Sequence, residues 1–220
     1  MADLNSLVVL AKVAEAGSFS EAARCLKLPV STVSRRIVRV QILVTDRFVD
    51  HIAEGIDLAF RLGALSDSSL VARRILTYRH QLLASPAYLR GREPPEKPED
   101  LLNHRLLAFL HWKPEARWSF VHKSSKDQET LTFQPFLAMN DYAGLAPALL
   151  DGAGIGELPP VVRPELVRTG RLVEIMPDWR FQTFDLSLVH LGARHMSKPC
   201  RLFKELAVQM APGLFPGLPT

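Results

Sequence analysis

Ser18-Phe19-Ser20-Glu21-Ala22-Ala23-Arg24-Cys25-Leu26-Lys27-Leu28-Pro29-Val30-Ser31-Thr32-Val33-Ser34-Arg35-Arg36-Ile37 is written as two short helices with a tight turn between them. Ser18 or Ser20 is placed to cap the first, with Phe19 as a hydrophobic anchor. Glu21 stands three residues after Ser18, the spacing of a capping box. The predicted helix covers residues 21–28, and Pro29 ends it while fitting the first turn of the next. The following helix runs through residues 31–37. Upstream, Leu4, Leu7, Val8, Leu10, Ala11, Val13 and Ala14 recur at helical spacing, with Asp3 as N-cap and Gly17 as stop. Three short helices joined by tight turns, the last rich in Ser, Thr and Arg, describe a helix-turn-helix.

Beyond residue 40 the pattern changes. Residues 40–44 form a β-branched run, 49–54 read as helix with Gly55 as stop, and 56–60 as strand. Strand signals recur at 74–84, 106–111, 117–121, 130–138, 155–158, 172–174 and 184–191. Helix signals fall at 85–89, 141–151, 164–168 and 198–210. Alternating β and α signals argue for α/β layers with a largely parallel sheet. The Pro- and charge-rich stretch 91–100 reads as a solvated, mobile loop.

The chain has 220 residues, 47% of them hydrophobic, with 27 Lys+Arg against 23 Asp+Glu. That composition belongs to an ordinary globular protein, and the length gives room for one large domain or two small ones. Most of the net charge of +4 lies at one end: residues 1–40 hold six bases and three acids, leaving +3 there. Basic charge gathered on one small helical module is the footprint of phosphate contact. The two cysteines, Cys25 and Cys200, are too few and too far apart for a secreted disulfide scaffold. Cys25, in an apolar helical stretch, is expected to be a buried thiol. No secretory leader and no apolar run of membrane-spanning length is visible. The seven histidines show no metal-ligand spacing, and there is no G-x-S-x-G, H-E-x-x-H or P-loop. The expectation is a cytoplasmic protein that is not an enzyme and needs no cofactor or metal.

Ser31, Thr32, Ser34, Arg35 and Arg36 carry the chemistry of nucleic-acid contact. Hydroxyls reach phosphate or base edges, and Arg binds guanine bidentately or pairs with phosphate. A solvated polar helix face is the plainer alternative. Ser18 and Ser20 lie at a helix N-terminus that attracts phosphate, or serve simply as caps. Residues 152–156, Gly-Ala-Gly-Ile-Gly, lack dinucleotide-site spacing and read as a turn from helix to strand. Arg61, Leu62 and Gly63 follow a strand end, where ligands of α/β sheets gather. Arg61 there is either a partner for an acidic effector or half of a surface salt bridge. Asn140 and Asp141 precede a helix as its cap, with a place at a cleft as the second reading.

With those residues in view, the stretch 4–37 resembles the DNA-binding helices of LysR-type transcriptional regulators. Residues 43–75 (LVTDRFVDHIAEGIDLAFRLGALSDSSLVARRI), 82–89 (LLASPAYL), 98–107 (PEDLLNHRLL), 152–160 (GAGIGELPP), 170–179 (GRLVEIMPDW) and 201–206 (RLFKEL) resemble that family's effector-binding domain. The resemblance implies an α + α/β architecture. An N-terminal helix-turn-helix at 1–39 precedes a truncated, periplasmic-binding-protein-like α/β domain at 40–212. That domain would comprise subdomain I at about 40–83 and 176–212 and subdomain II at about 84–175, with 213–220 as a tail. It implies double-stranded operator DNA and a small-molecule effector as partners. With the helix pair it makes Ser18, Ser20, Ser31, Thr32, Ser34, Arg35 and Arg36 the expected DNA contacts, and it places the turn 152–156 and Leu158-Pro159 at the border of the effector cleft. With the strand-end and cap readings, the expected effector residues are Arg61, Leu62, Gly63, Asn140, Gly154, Ile155 and Gly156. Ala84-Ser85-Pro86 matches the crossover between subdomains. The pattern skips the family's β-wing, its dimerising linker helix, and the first strand and helix of the effector domain, with the junction near residues 37–40. Family members form homodimers or tetramers through that missing helix. The alternative function is therefore an effector-binding protein with impaired DNA binding.

Overall fold

The computed structural model describes residues 18–32, 41–45, 49–63, 70–110, 113–192 and 196–220. The first expected helix, with Asp3 and Gly17, lies outside them, as do Ser34, Arg35 and Arg36. The chain divides into two compact units. Unit 1 takes Met1–Ile75 and Leu186–Leu214, and unit 2 takes Leu76–Asp185 and Phe215–Thr220. The chain thus passes between the units three times, at 75/76, 185/186 and 214/215. The expected switch points were near 83/84 and 175/176, and the tail was expected in neither subdomain.

In unit 1, α1 is Phe19–Leu26, beginning and ending two residues earlier than expected. Ser18, in extended conformation, caps it by accepting the Glu21 N–H at 3.3 Å. The other half of the capping box does not form, because the Glu21 carboxylate is taken by Arg24. Lys27 sits in the left-handed region (φ 53°) and stops the helix. Its N–H donates to the Arg24 carbonyl and that of Leu28 to Ala23, the paired bonds of a Schellman stop. Ala22 and Ala23 are buried. Cys25 falls on the flank of that stripe, with its thiol toward the Glu21 carboxylate, and is exposed, so the expectation of a buried thiol is corrected by the phase of the helix. Residues 30–32 open the next helix.

The expected helix at 49–54 is a single turned segment. Asp50 Oδ1 accepts the N–H groups of Ile52 and Ala53, a side-chain competition that stops a helix from propagating. Residues 41–45 form no strand. β1 (Ala59–Leu62) pairs antiparallel with β11 (Thr183–Leu191), and β2 (Leu70–Arg79) completes a three-stranded sheet in the order β1-β11-β2. α5 (Lys198–Leu214) lays Phe203 edge-on against Phe60 of β1, with ring centroids 6.4 Å apart.

Unit 2 contains two sheets. The larger has the order β7-β4-β8-β3-β9, built from β3 (Gln81–Ala84), β4 (Leu106–Phe109), β7 (Leu137–Met139), β8 (Ile155–Leu158) and β9 (Val173–Glu174). The smaller has the order β10-β5-β6, with β5 (Ala116–His122), β6 (Gln128–Phe133) and β10 (Trp179–Phe181), all antiparallel. The expectation of a largely parallel sheet is corrected. β4 runs parallel to β7 and β8, whereas β3 is antiparallel to both β8 and β9. The reason is local. α3 (Tyr142–Leu150) carries the chain from β7 across β4 to β8, and long returns of this kind, like that through β5 and β6 from β4 to β7, are what parallel strands require. β3 arrives from the other direction.

Strand alternation then divides the core. Leu82, Ala84, Leu106, Ala108 and Ile155 join Trp118, Phe120, Phe133 and Phe181 on one face. Leu83, Leu107 and Leu158 join Leu145 and Leu149 of α3 on the other, together with Leu166 of α4 (Pro164–Arg168). The stretch 91–100 is more ordered than expected. Pro95 and Pro98 are buried, and Pro98–Asn103 forms a 3-10 helix. Asp100 Oδ2 accepts the N–H groups of Glu96 and Lys97, each at 3.1 Å.

Those two bonds hold the Asp100 carboxyl below its ordinary value of 3.8. A depressed folded value stabilises at pH above the unfolded value and loses that contribution as pH falls through the folded one. The Asp100→Asn variant is therefore expected to melt below wild type at pH 6, with the gap closing as pH drops below 3.8. Thermal unfolding across a pH series checks this.

Candidate functional site

Two regions hold the residues singled out in the sequence. In the helix-turn-helix segment, Ser18, Ser20 and Ser31 are exposed and Thr32 is half-buried. Ser18 spends its oxygen on the cap, while Ser20 lies in the first turn of α1. Arg24 and Lys27 of the same segment are exposed, Arg24 paired with the Glu21 carboxylate. The spacing of these charges shows in the sequence, but the outward face of α1 is fixed only by which alanines pack.

In unit 1, Arg61 is half-buried and its Nη2 donates to the Val49 carbonyl at 3.1 Å, so it braces the turned segment 49–55. Leu62 is exposed, and Gly63 has φ +83°.

In unit 2, Asn140 is exposed, and Asp141 caps α3 by accepting from Ala143 (2.9 Å) and Gly144 (3.1 Å). The glycines after α3 have separate tasks. Gly152 (φ +78°) is the left-handed stop: its N–H donates to Leu149 and that of Ala153 to Ala148, the same paired bonds as at Lys27. Gly154 and Gly156 let β8 press against β4. A Cβ on Gly154 would overlap the Arg105 carbonyl and Leu107 Cδ1. One on Gly156 would stand 2.7 Å from the Leu107 carbonyl oxygen. Ile155 between them is fully buried. Ser85 caps α2 (Pro86–Leu89) from within unit 2.

The sequence reading missed the polar cluster beside these residues. His80, in the one-residue break between β2 and β3, is buried, with Nδ1 3.2 Å from Glu157 Oε2. The Tyr142 hydroxyl lies 3.5 Å from the same nitrogen and donates to Glu157 Oε1 at 3.4 Å. Phe109 stacks on Tyr142 at 4.4 Å, and Phe184 packs on His80 at 5.0 Å. Burial first, then the Glu157 carboxylate, push the Tyr142 hydroxyl well above its ordinary range, so it stays protonated and acts as donor. With Glu157 as acceptor for the Nδ1–H, the buried His80 Nε2 has no hydrogen-bond partner among the described residues. Next to it, Arg79 pairs with Glu174 at 2.6 Å, and Gln81 donates to the same carboxylate at 3.1 Å. The available signal was an acid inside a buried strand, Ile155-Gly156-Glu157-Leu158, and a histidine between two apolar strand runs. Among the described residues no cluster of three or more His, Cys, Asp or Glu could hold a metal. No described helix is long and apolar enough to cross a membrane.

The chain thus carries a short helical segment in unit 1 ahead of its mixed α/β sheets. The family comparisons make this specific. Residues 36–212 match the LysR substrate binding domain, and residues 4–56 match the bacterial regulatory helix-turn-helix protein, lysR family. The chain belongs to the LysR family of transcriptional regulators, a family of regulators rather than enzymes. It is 29% identical over 186 residues to the HTH-type transcriptional regulator PtxR of Pseudomonas aeruginosa, covering 82% of this chain and 59% of that protein. It is 30% identical over 183 residues to the probable HTH-type transcriptional regulator LtrA of Klebsiella pneumoniae, again covering 82% and 59%. The chain thus spans about three fifths of the length of these relatives. Among solved structures, the regulatory domain of AphB from Vibrio vulnificus superposes with TM-score 0.66 at 27% identity, covering 81% of this chain and 86% of that one. The regulatory domain of CrgA from Neisseria meningitidis gives TM-score 0.69 at 21% identity, covering 94% of each chain, a likeness of fold. The two family matches overlap on residues 36–56, across the junction where the sequence pattern breaks.

The close approach of β4 and β8 gives a sharp expectation. Gly154→Ala should destabilise unit 2 by about 3 kcal/mol or more, because the obstacle is backbone and cannot rotate away. Gly63→Ala, with open space around it, should cost roughly 1 kcal/mol from its positive φ alone. Urea unfolding of the two variants separates the cases.

Proposed function

We propose that the chain is a DNA-binding transcriptional regulator whose helix-turn-helix contacts operator DNA and whose effector domain recognises a small molecule. The observation that carries the reading is the Ser18-capped α1 with its Lys27 stop, leading into a second helix at the start of the segment rich in Ser, Thr and Arg. In this reading Ser18, Ser20, Ser31, Thr32, Ser34, Arg35 and Arg36 meet phosphate and base edges. On the effector side we carry over Arg61, Leu62, Gly63, Asn140, Gly154, Ile155 and Gly156 as candidate residues, and within unit 2 we add His80, Tyr142 and Glu157. The unpartnered His80 Nε2 supports that addition, since a buried ring nitrogen with no hydrogen bond is a costly arrangement that a ligand donor relieves. The protein works in the cytoplasm, as a homodimer or larger assembly on DNA. Regulation follows from differential effector affinity for two states of the effector domain.

A second reading, effector binding with impaired DNA recognition, is favoured by one observation. Ile42, Leu43 and Val44 are 80%, 55% and 91% exposed and belong to no described strand. Such an apolar run normally sits in a sheet, and the resemblance places the missing strand and linker helix just before it. Without that helix a monomer engages one half-site by weak, largely electrostatic contact.

Fluorescence anisotropy with duplexes from the region upstream of the gene distinguishes the readings. A regulator is expected to bind with an affinity that falls as salt rises, and the double variant Ser34→Ala, Arg35→Ala should weaken binding about tenfold or more. Absence of binding even at low salt would leave only the second reading.

A further inference from the structure

The segment Phe215-Pro216-Gly217-Leu218-Pro219-Thr220 follows directly on α5 and is expected from position alone to be a loose tail. Its chemistry is otherwise. Gly217 has φ +70°, and a proline followed by a residue of positive φ is the signature of a type II turn. The turn redirects the chain after α5. Beyond it Leu218 and Pro219 are half-buried. The Arg79 backbone N–H donates to the Pro219 carbonyl at 2.9 Å, and Arg180 Nη1 reaches the Thr220 carbonyl at 3.4 Å. α5 belongs to unit 1, yet the six residues after it belong to unit 2.

The docking point is specific. Arg79 is the last residue of β2, an outer strand of its sheet among the described residues, and His80 follows it at the break into β3. Arg79 is buried, so its N–H needs an acceptor that an outer strand does not otherwise receive. Proline suits that place: it offers a carbonyl and no N–H, so pairing stops after a single bond and no ladder grows outward. The side chain of Arg79 is fixed separately, by Glu174, which leaves the backbone bond as the strap's own contribution.

We propose that residues 215–220 form a built-in strap, docked after the Pro216-Gly217 turn on the β2–β3 passage of unit 2. The strap holds the backbone at Arg79, beside His80. This goes beyond the regulator reading and does not depend on DNA binding. Hydrogen exchange read by mass spectrometry compares the full chain with a chain ending at Leu214 and with the Leu218→Asp variant. Expected in both variants is exchange about tenfold faster in peptides covering residues 76–84, with the β5–β6 peptides of unit 2 unchanged. Unchanged exchange at 76–84 would overturn the strap. So would faster exchange throughout unit 2, which would make the segment ordinary core rather than a local restraint.

Discussion

The structure of unit 2 depends on how closely β8 lies against β4. Gly154 and Gly156 give up side chains so that the Arg105 and Leu107 carbonyls can occupy the space, and Ile155 is driven into the core between them. Because β8 sits in the middle of its sheet, that approach sets everything around it. It fixes the height at which α3 packs through Leu145 and Leu149. It sets the antiparallel register of β3, with Leu82 opposite Glu157 and Leu83 opposite Gly156. Through that register it brings Glu157 to His80, one residue before β3 begins. The polar triad is thus a consequence of a packing constraint. The glycines make the scaffold, and the residue after them carries the polar group.

The same device ends two helices with opposite demands. At Gly152 the left-handed stop uses the one residue that adopts it without strain. At Lys27 it is forced on a side chain that bears roughly 1–2 kcal/mol for it. What Lys27 adds is charge at a helix C-terminus, where a cation is favoured by the helix dipole, and a basic side chain on the surface of α1.

Much of the layout was legible in the residues. Spacing gave α1 within two residues, because Ser18 is a strong cap, and gave α3, α4 and β8 nearly as found. Strand direction was not legible, since alternating β and α signals do not say whether a strand enters from the same end as its neighbour. The β-branched run at 40–44 forms no strand over its described residues, 41–44, for a different reason. Ile42, Leu43 and Val44 have strand composition, but no described strand pairs with them. Propensity alone does not hold an extended segment in a sheet. Cys25 was misread because burial follows helix phase rather than neighbourhood. The triad was hidden because its members are far apart in sequence, and each alone looks like an ordinary polar residue.

In the proposed function the N-terminal helical segment meets DNA, and unit 2 has a core of its own. The direct measurement is an amide chemical-shift map of the labelled full chain titrated with an upstream duplex at moderate salt. The expected result is that the largest shifts fall between residues 18 and 36, with the β5–β6 amides of unit 2 nearly unmoved. Largest shifts on unit 2, or none at all under saturating duplex, would contradict the assignment of DNA contact to the helix-turn-helix.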